Sequence, residues 1–335
     1  MNILLSCPSK FSLVSKNLKK LGGIESLNLE LAKTLSKEHI NVTLATDCKK
    51  TIIKNKITNI PIDKLKTNSK NFSFDSIVSS NDTSLYSYFK KSKKILWLHN
   101  KLQIEKAIRK KNFFPINYHR PHVVFVSNYL SNFTSSIFLF KKRFVISNFL
   151  SNFFIVKKMN FDRKKIFVWS VQRNKGLSEL IEIWINKIYQ RDKSVKLYIF
   201  GVNNKISKSK NIFLKSKNIF FFGRVSKSKL KSTYLNSLAM ICLGYDETFC
   251  LNALEANSCG LPIITFGKTA LKDYSISNYN SIIAKNFTDL ENKIFYLLSL
   301  NKHKKDKLIK NSFNHSKKFR LNIISKLWIK LFKNI

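Results

Sequence analysis

Short apolar runs, each long enough for one buried strand, recur along this chain and alternate with stretches that have helical spacing. In the first half the runs are Ile3 to Ser6, Val42 to Ala45, Ser76 to Val78, Ile95 to Leu98 and Val123 to Val126. Between the first two lies Glu25 to Glu38, where Leu27, Leu31 and Leu35 recur every fourth residue while Asn28, Lys33 and Lys37 point elsewhere, the pattern of an amphipathic helix. Strand, helix, strand is the unit of a parallel sheet, so the pattern predicts an α/β fold. Lys49 to Asn71 is rich in Lys and Asn and weakly patterned, which predicts surface loops around one short strand near Ile57.

The second half repeats the logic. Strands are predicted at Lys165 to Trp169, Val195 to Phe200, Ile219 to Phe222, Ala239 to Leu243 and Leu261 to Thr265. Helices fit Leu177 to Gln190, Lys227 to Ser237, Thr248 to Ser258 and Leu290 to Leu298. With 335 residues the chain exceeds the roughly 250 at which single cores stop growing, so two α/β domains are expected. The boundary falls near Ser147 to Ser151, which gives an N-terminal domain over 1–147, a C-terminal domain over 148–315 and a closing helical segment over 316–335. That last segment carries Phe319, Ile323, Ile324, Leu327, Trp328 and Leu331 on one broad face, which must pack somewhere.

Charge sorts the function classes. Lys and Arg number 61 against 19 acidic residues, a formal net charge of +42, which attracts nucleotide phosphates and anionic membrane surfaces at long range. Nucleic acid is the usual partner of such a chain, but no nucleic-acid-binding motif and no basic helix dedicated to a groove is present. The abundance of Lys, Asn, Ile, Phe and Ser beside scarce Gly and Pro is also what an AT-rich coding bias produces. The five cysteines, Cys7, Cys48, Cys242, Cys250 and Cys259, have no CxxC spacing and are odd in number, so spacing indicates neither a zinc site nor a disulfide framework, and a reducing cytoplasm fits. No run of about 18 uncharged apolar residues occurs, which argues against a membrane span.

The chemistry concentrates after the predicted strand Ala239 to Leu243. Gly244-Tyr245-Asp246-Glu247 follows it, then Thr248 to Ala256, and Gly260-Leu261-Pro262 closes the unit. Thr248 is the expected N-cap of a helix, with Leu251 and Leu254 facing a core, Gly260 at the C-terminal left-handed position and Pro262 preventing continuation. Such a helix start lies at the carboxyl end of a parallel strand, where open α/β sheets place ligands, and it favours anions. Glu247 and Glu255 bracket that turn in a chain poor in acids. Carboxylates accept hydrogen bonds from hydroxyl pairs, so the combination suits a molecule with hydroxyls and phosphates together, such as a nucleotide sugar. The alternative is structural: Glu247 favouring the helix dipole and Glu255 an ordinary surface acid.

The run from Glu247 to Pro262 resembles the signature of the family 4 retaining glycosyltransferases, two glutamates separated by seven residues and followed by Gly-x-Pro. The resemblance implies the GT-B fold: two Rossmann-like domains facing across a cleft, the N-terminal one binding the acceptor and the C-terminal one the nucleotide sugar, with the C-terminal helix crossing back to the first domain. It implies that Glu247 meets the donor sugar, that backbone N–H groups of Phe249 to Leu251, just past Thr248 and including Cys250, face sugar and pyrophosphate, and that Glu255 binds the ribose hydroxyls. Gly223 and Arg224 lie in the stretch Phe222 to Ser226 that resembles the base-contacting segment, and Gly22-Gly23 resembles the family's glycine-rich loop near the diphosphate. Val168 to Leu177 is similar to the phosphate-clamping strand end, with Arg173 and Lys175 as the cations, although Trp169-Ser170 stands where Gly-Arg is common. His99, directly after the strand Ile95 to Leu98, matches a histidine that lies beside the transferred sugar.

The expected activity is therefore retaining transfer from a nucleotide-diphosphate sugar to a saccharide or lipid-linked acceptor in cell-surface glycan or glycolipid synthesis. The catalytic candidates are His99, Arg173, Lys175 and Glu247. The donor-binding candidates are Gly22, Gly23, Gly223, Arg224, Thr248, Phe249, Cys250, Leu251 and Glu255. No metal or cofactor is expected beyond the nucleotide sugar as co-substrate, because cationic side chains can neutralise the diphosphate. A cytoplasmic protein peripheral on the inner membrane face is expected, with no specific nucleic acid as partner. The competing readings are a catalytically impaired binding protein of the same fold and a basic nucleic-acid-binding protein. For the C-terminal helix the competing reading is an amphipathic membrane-surface element, since Lys317, Lys318, Arg320, Lys326, Lys330 and Lys333 surround its apolar face.

Overall fold

The computed structural model describes residues 1–14, 21–171, 175–202 and 208–335. Its contacts divide the chain into two compact units, Met1–Ser151 with Phe319–Ile335, and Asn152–Lys318. Both breaks fall a few residues after the expected 147/148 and 315/316, because Leu150 and Phe319 are tied together within the first unit: Leu150 N donates to Phe319 O at 2.7 Å, and Leu150 bridges Arg320.

The first unit is an eight-stranded sheet. Its strands are β1 (Asn2–Ser6), β2 (Asn41–Thr46), β3 (Ile52–Lys54), β4 (Ile57–Pro61), β5 (Ser76–Ser80), β6 (Lys93–Leu98), β7 (His122–Phe125) and β8 (Arg143–Val145). The spatial order is β3-β4-β2-β1-β5-β6-β7-β8, parallel except for the antiparallel edge pair β3–β4. Leu4, Leu44, Ile77, Trp97 and Val124 in the central strands are buried, as expected of a sheet covered on both faces. The helix predicted at Glu25 to Glu38 spans Gly23–Lys37 and buries Leu27, Leu31 and Leu35. The segment read as loops around one short strand is more ordered than its composition suggests. It holds β3, β4 and a helix over Ile62–Thr67, because Ile57, Ile60, Ile62 and Leu65 find buried places among its lysines.

The C-terminal helix, Leu321–Asn334, belongs to this unit. Trp328 is fully buried, its ring 4.9 Å from Trp97 of β6 in a T-shaped contact, and the helix packs on Gly23–Lys37. Its apolar face is narrower than predicted. Leu321, Ile324, Trp328, Leu331 and Phe332 are buried, whereas Ile323 and Leu327, four residues apart, are 45% and 44% exposed.

The second unit is a six-stranded, all-parallel sheet of β9 (Lys164–Trp169), β10 (Lys196–Phe200), β11 (Ile219–Gly223), β12 (Ser237–Ile241), β13 (Ile263–Thr265) and β14 (Ser281–Ile283). Its order is β11-β10-β9-β12-β13-β14, the doubly wound arrangement in which direction reverses between the first and fourth strands. The helix predicted from Leu177 is α-helical over Leu177–Ile183, then widens to a π-turn over Trp184–Ile188 that lets Trp184 and Ile188 reach full burial. A fifteen-residue helix, Lys302–Ser316, was not foreseen: its first turns are so rich in lysine that only Leu308, Ile309, Ser312, His315 and Ser316 mark its buried side.

Candidate functional site

In the second unit the strand order reverses between β9 and β12, and the carboxyl ends of these two strands are where open α/β sheets place ligands. Two connections leave there. One runs from Trp169 to the Leu177–Ile183 helix and carries Lys175. The other runs from Ile241 to the Leu251–Ser258 helix and carries Glu247.

Glycines shape both connections. Gly176 takes φ +93° as the residue before its helix, a conformation that favours glycine, and a Cβ there would lie 2.7 Å from Leu243 Cδ1 and 3.1 Å from Tyr245 Cε2, so the two connections pack closely at this residue. Gly244 takes φ +85°, and its Cβ would meet the Lys268 carbonyl oxygen at 2.9 Å. The turn is then held from outside: Thr269 Oγ1 donates to Gly244 O at 2.5 Å and Ala270 N to Glu247 O at 3.2 Å.

This arrangement delivers Lys175 Nζ to Glu247 Oε1 at 2.7 Å and to the Asp246 carbonyl oxygen at 3.2 Å. The two side chains are only 17% and 13% exposed. Burial raises the pKa of Glu247, Lys175 opposes that shift by charge and hydrogen bond, and nearby Asp246 adds to it. Burial thus disfavours the anionic form of this carboxylate, and Lys175 is the group that opposes that effect.

The helix after Glu247 starts later than predicted. It spans Leu251–Ser258 with Cys250 as N-cap, so Thr248 lies in the preceding turn and is not the cap. Cys250 adopts φ +67°, a left-handed conformation that cannot begin an α-helix earlier, and no side chain caps it. Gly260, at φ +70°, takes the expected left-handed position beyond the helix end, and Pro262 precedes β13. The start of this helix is fixed to β9, since Asn252 Nδ2 donates to the Ser170 carbonyl. Ser170 Oγ in turn meets Tyr234 OH at 2.7 Å, with Tyr234 fully buried. Phe249 and Cys250 are buried, while Thr248, Leu251 and Glu255 are half-buried, with Glu255 four residues into the helix. Its charge bears on Tyr234, whose phenol is pushed well above its ordinary value, first by burial and then by Glu255.

The remaining candidates fall elsewhere. Gly223 ends β11 at φ +61° with open space around a Cβ, and Arg224 follows it, so both lie on the carboxyl edge of the same sheet, two strands from β9. Arg173 lies outside the described residues. Gly22, Gly23 and His99 belong to the first unit. Gly22 is the N-cap of Gly23–Lys37, its φ of −67° is open to any residue, and a Cβ there would run into the Glu25 carboxylate. This helix follows β1, beside β5, at that sheet's own reversal of direction, and Asn28 Nδ2 donates to Ser80 Oγ at 2.8 Å. His99 follows β6. Its ring is buried against Trp97 at 4.4 Å, and its backbone N donates to Asn81 Oδ1 at 2.9 Å. Burial lowers its pKa to about 3, so it is a neutral imidazole at physiological pH.

Sequence reasoning missed Asp246, Ser170, Tyr234, Asn252 and Thr269, which hold the site, and also Cys242. Cys242 Sγ lies 3.4 Å from Cys250 Sγ. An eight-residue separation across a strand end and a helix start has no recognisable spacing, so only the fold brings these thiols together.

The family described as glycosyl transferases group 1 matches residues 151–315, which is nearly the whole second unit. The second unit belongs to that family, and the chain is a glycosyltransferase. No curated protein matches the chain by sequence. Solved structures match it along its whole length. A sucrose-phosphate synthase from Thermosynechococcus elongatus is 14% identical, with 99% of this chain and 98% of that one covered and a TM-score of 0.75. A glycosyltransferase from Rickettsia africae ESF-5 is 17% identical, covers 99% and 97%, and has a TM-score of 0.74. The Anabaena protein HepE in complex with UDP and glucose is 13% identical, covers 100% of both chains and has a TM-score of 0.72. The fold of this chain is GT-B.

Proposed function

We propose that this protein transfers a sugar from a nucleotide-diphosphate donor to a saccharide or lipid-linked acceptor with retention of anomeric configuration, in cell-surface glycan or glycolipid synthesis. The observation that carries this reading is the Lys175–Glu247 ion pair at 2.7 Å, built by two glycine-dependent turns where the sheet reverses direction. Glu247 accepts hydrogen bonds from the sugar hydroxyls, Glu255 from the ribose, and the helix start at Cys250 and Leu251, reached through Thr248 and Phe249, faces the diphosphate. Gly223 and Arg224 serve the base, and Gly22 and Gly23 let backbone approach the diphosphate.

The C1–O bond to the diphosphate breaks first and its electron pair leaves with the phosphate oxygen. Lys175, with Arg173, stabilises that growing charge. The acceptor hydroxyl attacks C1 from the same face and gives its proton to a leaving phosphate oxygen. His99, neutral at physiological pH, meets the transferred sugar and carries no proton in this scheme. Glu247 acts in this scheme by accepting hydrogen bonds and not as a nucleophile. The transfer needs no metal, because cationic side chains neutralise the diphosphate.

We further propose a peripheral place on an anionic membrane face. The formal charge of +42 supports it, and none of the described helices is long and apolar enough to cross a membrane. The C-terminal helix buries its best apolar residues in the first unit, so a better contact surface is the pair of short helices Ile104–Arg109 and Phe113–His119. There Phe114 and Tyr118 are 72% and 83% exposed beside Lys106, Arg109, Lys110 and Lys111.

The test is a thermal-shift screen with uridine, guanosine and adenosine diphosphate sugars, followed by turnover with the donor that stabilises most. One of them is expected to raise the melting temperature of the native protein and to be hydrolysed slowly without acceptor, with hydrolysis lost in Glu247→Ala. No stabilisation by any nucleotide sugar would overturn the reading. Sedimentation with anionic and neutral liposomes at moderate salt tests the membrane, and protein left in solution with both would refute that part.

A further inference from the structure

The turn that presents Glu247 also brings two thiols to the same place. Cys242 directly follows β12 and Cys250 precedes the Leu251–Ser258 helix, and their sulfur atoms are 3.4 Å apart, 1% and 8% exposed as residues. A carboxylate oxygen of Glu247 joins them, all three ligand atoms lying within 4.8 Å of one another. We propose that these residues form a binding site for a thiophilic divalent cation of the zinc class, and that the metal-bound form is the inhibited form of the enzyme. The second clause rests on the donor-site reading above, whereas the first does not.

Three observations converge. In tetrahedral zinc sites with Zn–S near 2.3 Å, two thiolates sit about 3.8 Å apart, and the sulfurs are already close to that separation. A Glu247 carboxylate oxygen, already within 4.8 Å of both sulfurs, needs to close in on them to complete three ligands, which leaves a fourth position for water. Charge also closes: two thiolates and a carboxylate are balanced by the divalent ion and the Lys175 ammonium, which can keep its hydrogen bond to the second carboxylate oxygen as an outer-shell partner. Two soft sulfurs select zinc or cadmium over magnesium or calcium. Cys250 holds this place at φ +67°, a conformation that costs a residue with a Cβ about 1 kcal/mol and that puts its sulfur against Cys242.

Binding replaces two S–H protons by two S–metal bonds and releases both protons to solvent, with no change of oxidation state. It draws the Glu247 carboxylate away from the sugar and fixes the Cys250 turn at the helix start, so donor and metal compete.

The probe is cadmium, read by ultraviolet sulfur-to-cadmium charge-transfer absorption of the full chain in a phosphine reductant. One equivalent is expected to bind the native protein. Cys242→Ala, a buried residue outside the transfer machinery, should retain its fold by circular dichroism and lose cadmium affinity by about 100-fold or more. Zinc should inhibit donor turnover in the native protein and not in Cys242→Ala, whose turnover without zinc is unchanged. Equal charge-transfer absorption in the two proteins, or none in either, would overturn the site. Because the absorption is measured without donor, it stands or fails whether or not the chain turns over a nucleotide sugar.

Discussion

Lys175 Nζ and Glu247 Oε1, 72 positions apart in sequence, meet at 2.7 Å where Gly176 packs its connection against Leu243 and Tyr245 and Gly244 seats the other connection against Lys268. Removing either partner should not have the same effect. Lys175→Met leaves a largely buried carboxylate with no cation, so its pKa rises further and stability falls by roughly 1–3 kcal/mol at neutral pH. Glu247→Gln removes the buried charge and should cost less. Paired urea titrations at pH 5 and pH 8 check this. Because the Glu247 pKa is already raised by burial, ionising it costs stability as pH rises through the folded value, and Lys175→Met should enlarge that loss on the alkaline side.

Glu247→Gln should lower kcat by roughly 10–1000-fold, since the lost interaction belongs to the transferring sugar. Glu255→Gln should chiefly raise KM for the donor with kcat little changed, the mark of binding felt equally in ground and transition states. Steady-state kinetics on both variants with the best donor separates these roles.

Gly244→Ala should lower the melting temperature and abolish donor binding together. Its new Cβ lies 2.9 Å from backbone at Lys268, which cannot swing aside, and φ +85° is strained for any residue with a Cβ. Gly223→Ala meets no neighbour, so only the φ +61° strain of about 1 kcal/mol is expected. Calorimetry on the two variants provides the contrast.

His99 should make the first unit sensitive to acid. Its folded pKa is lowered to about 3, against 6.5 in the unfolded chain, so the unfolded state binds the extra proton between those values. The stability it contributes is complete above pH 6.5 and is lost as pH falls toward 3. His99→Phe should flatten the melting-temperature profile over that window, and an unchanged slope would contradict the assignment.

Trp328→Ala should destabilise the first unit by about 3–5 kcal/mol, the cost of deleting a large, fully buried aromatic side chain that also contacts Trp97. Leu327→Ala, on the exposed side, should cost little. If the helix were instead held at a membrane, Trp328→Ala would leave the protein's stability in solution unaltered.

Much of the fold was legible because strand runs and helical spacing are local signals. Ile3 to Ser6, Ile95 to Leu98 and the leucine repeat of Gly23–Lys37 all read correctly, since a sheet covered on both faces needs continuous apolar runs. The Lys49 to Asn71 segment misread because frequent lysines mask the few buried positions, Ile57, Ile60, Ile62 and Leu65. Thr248 misread as a cap because a threonine before an apolar stretch is a good local signal, whereas the left-handed Cys250 that actually starts the helix is fixed by its surroundings.

The sequence by itself determined the α/β class, the two halves and the glutamates at the turn after β12, because period and spacing along one chain encode them. Tertiary structure alone decided which cation serves Glu247, that the Cys242 and Cys250 sulfurs lie 3.4 Å apart, and that His99 is buried and neutral. Those facts depend on two turns, one strand end and one helix start meeting in space, and the order of residues along the chain does not record that distance.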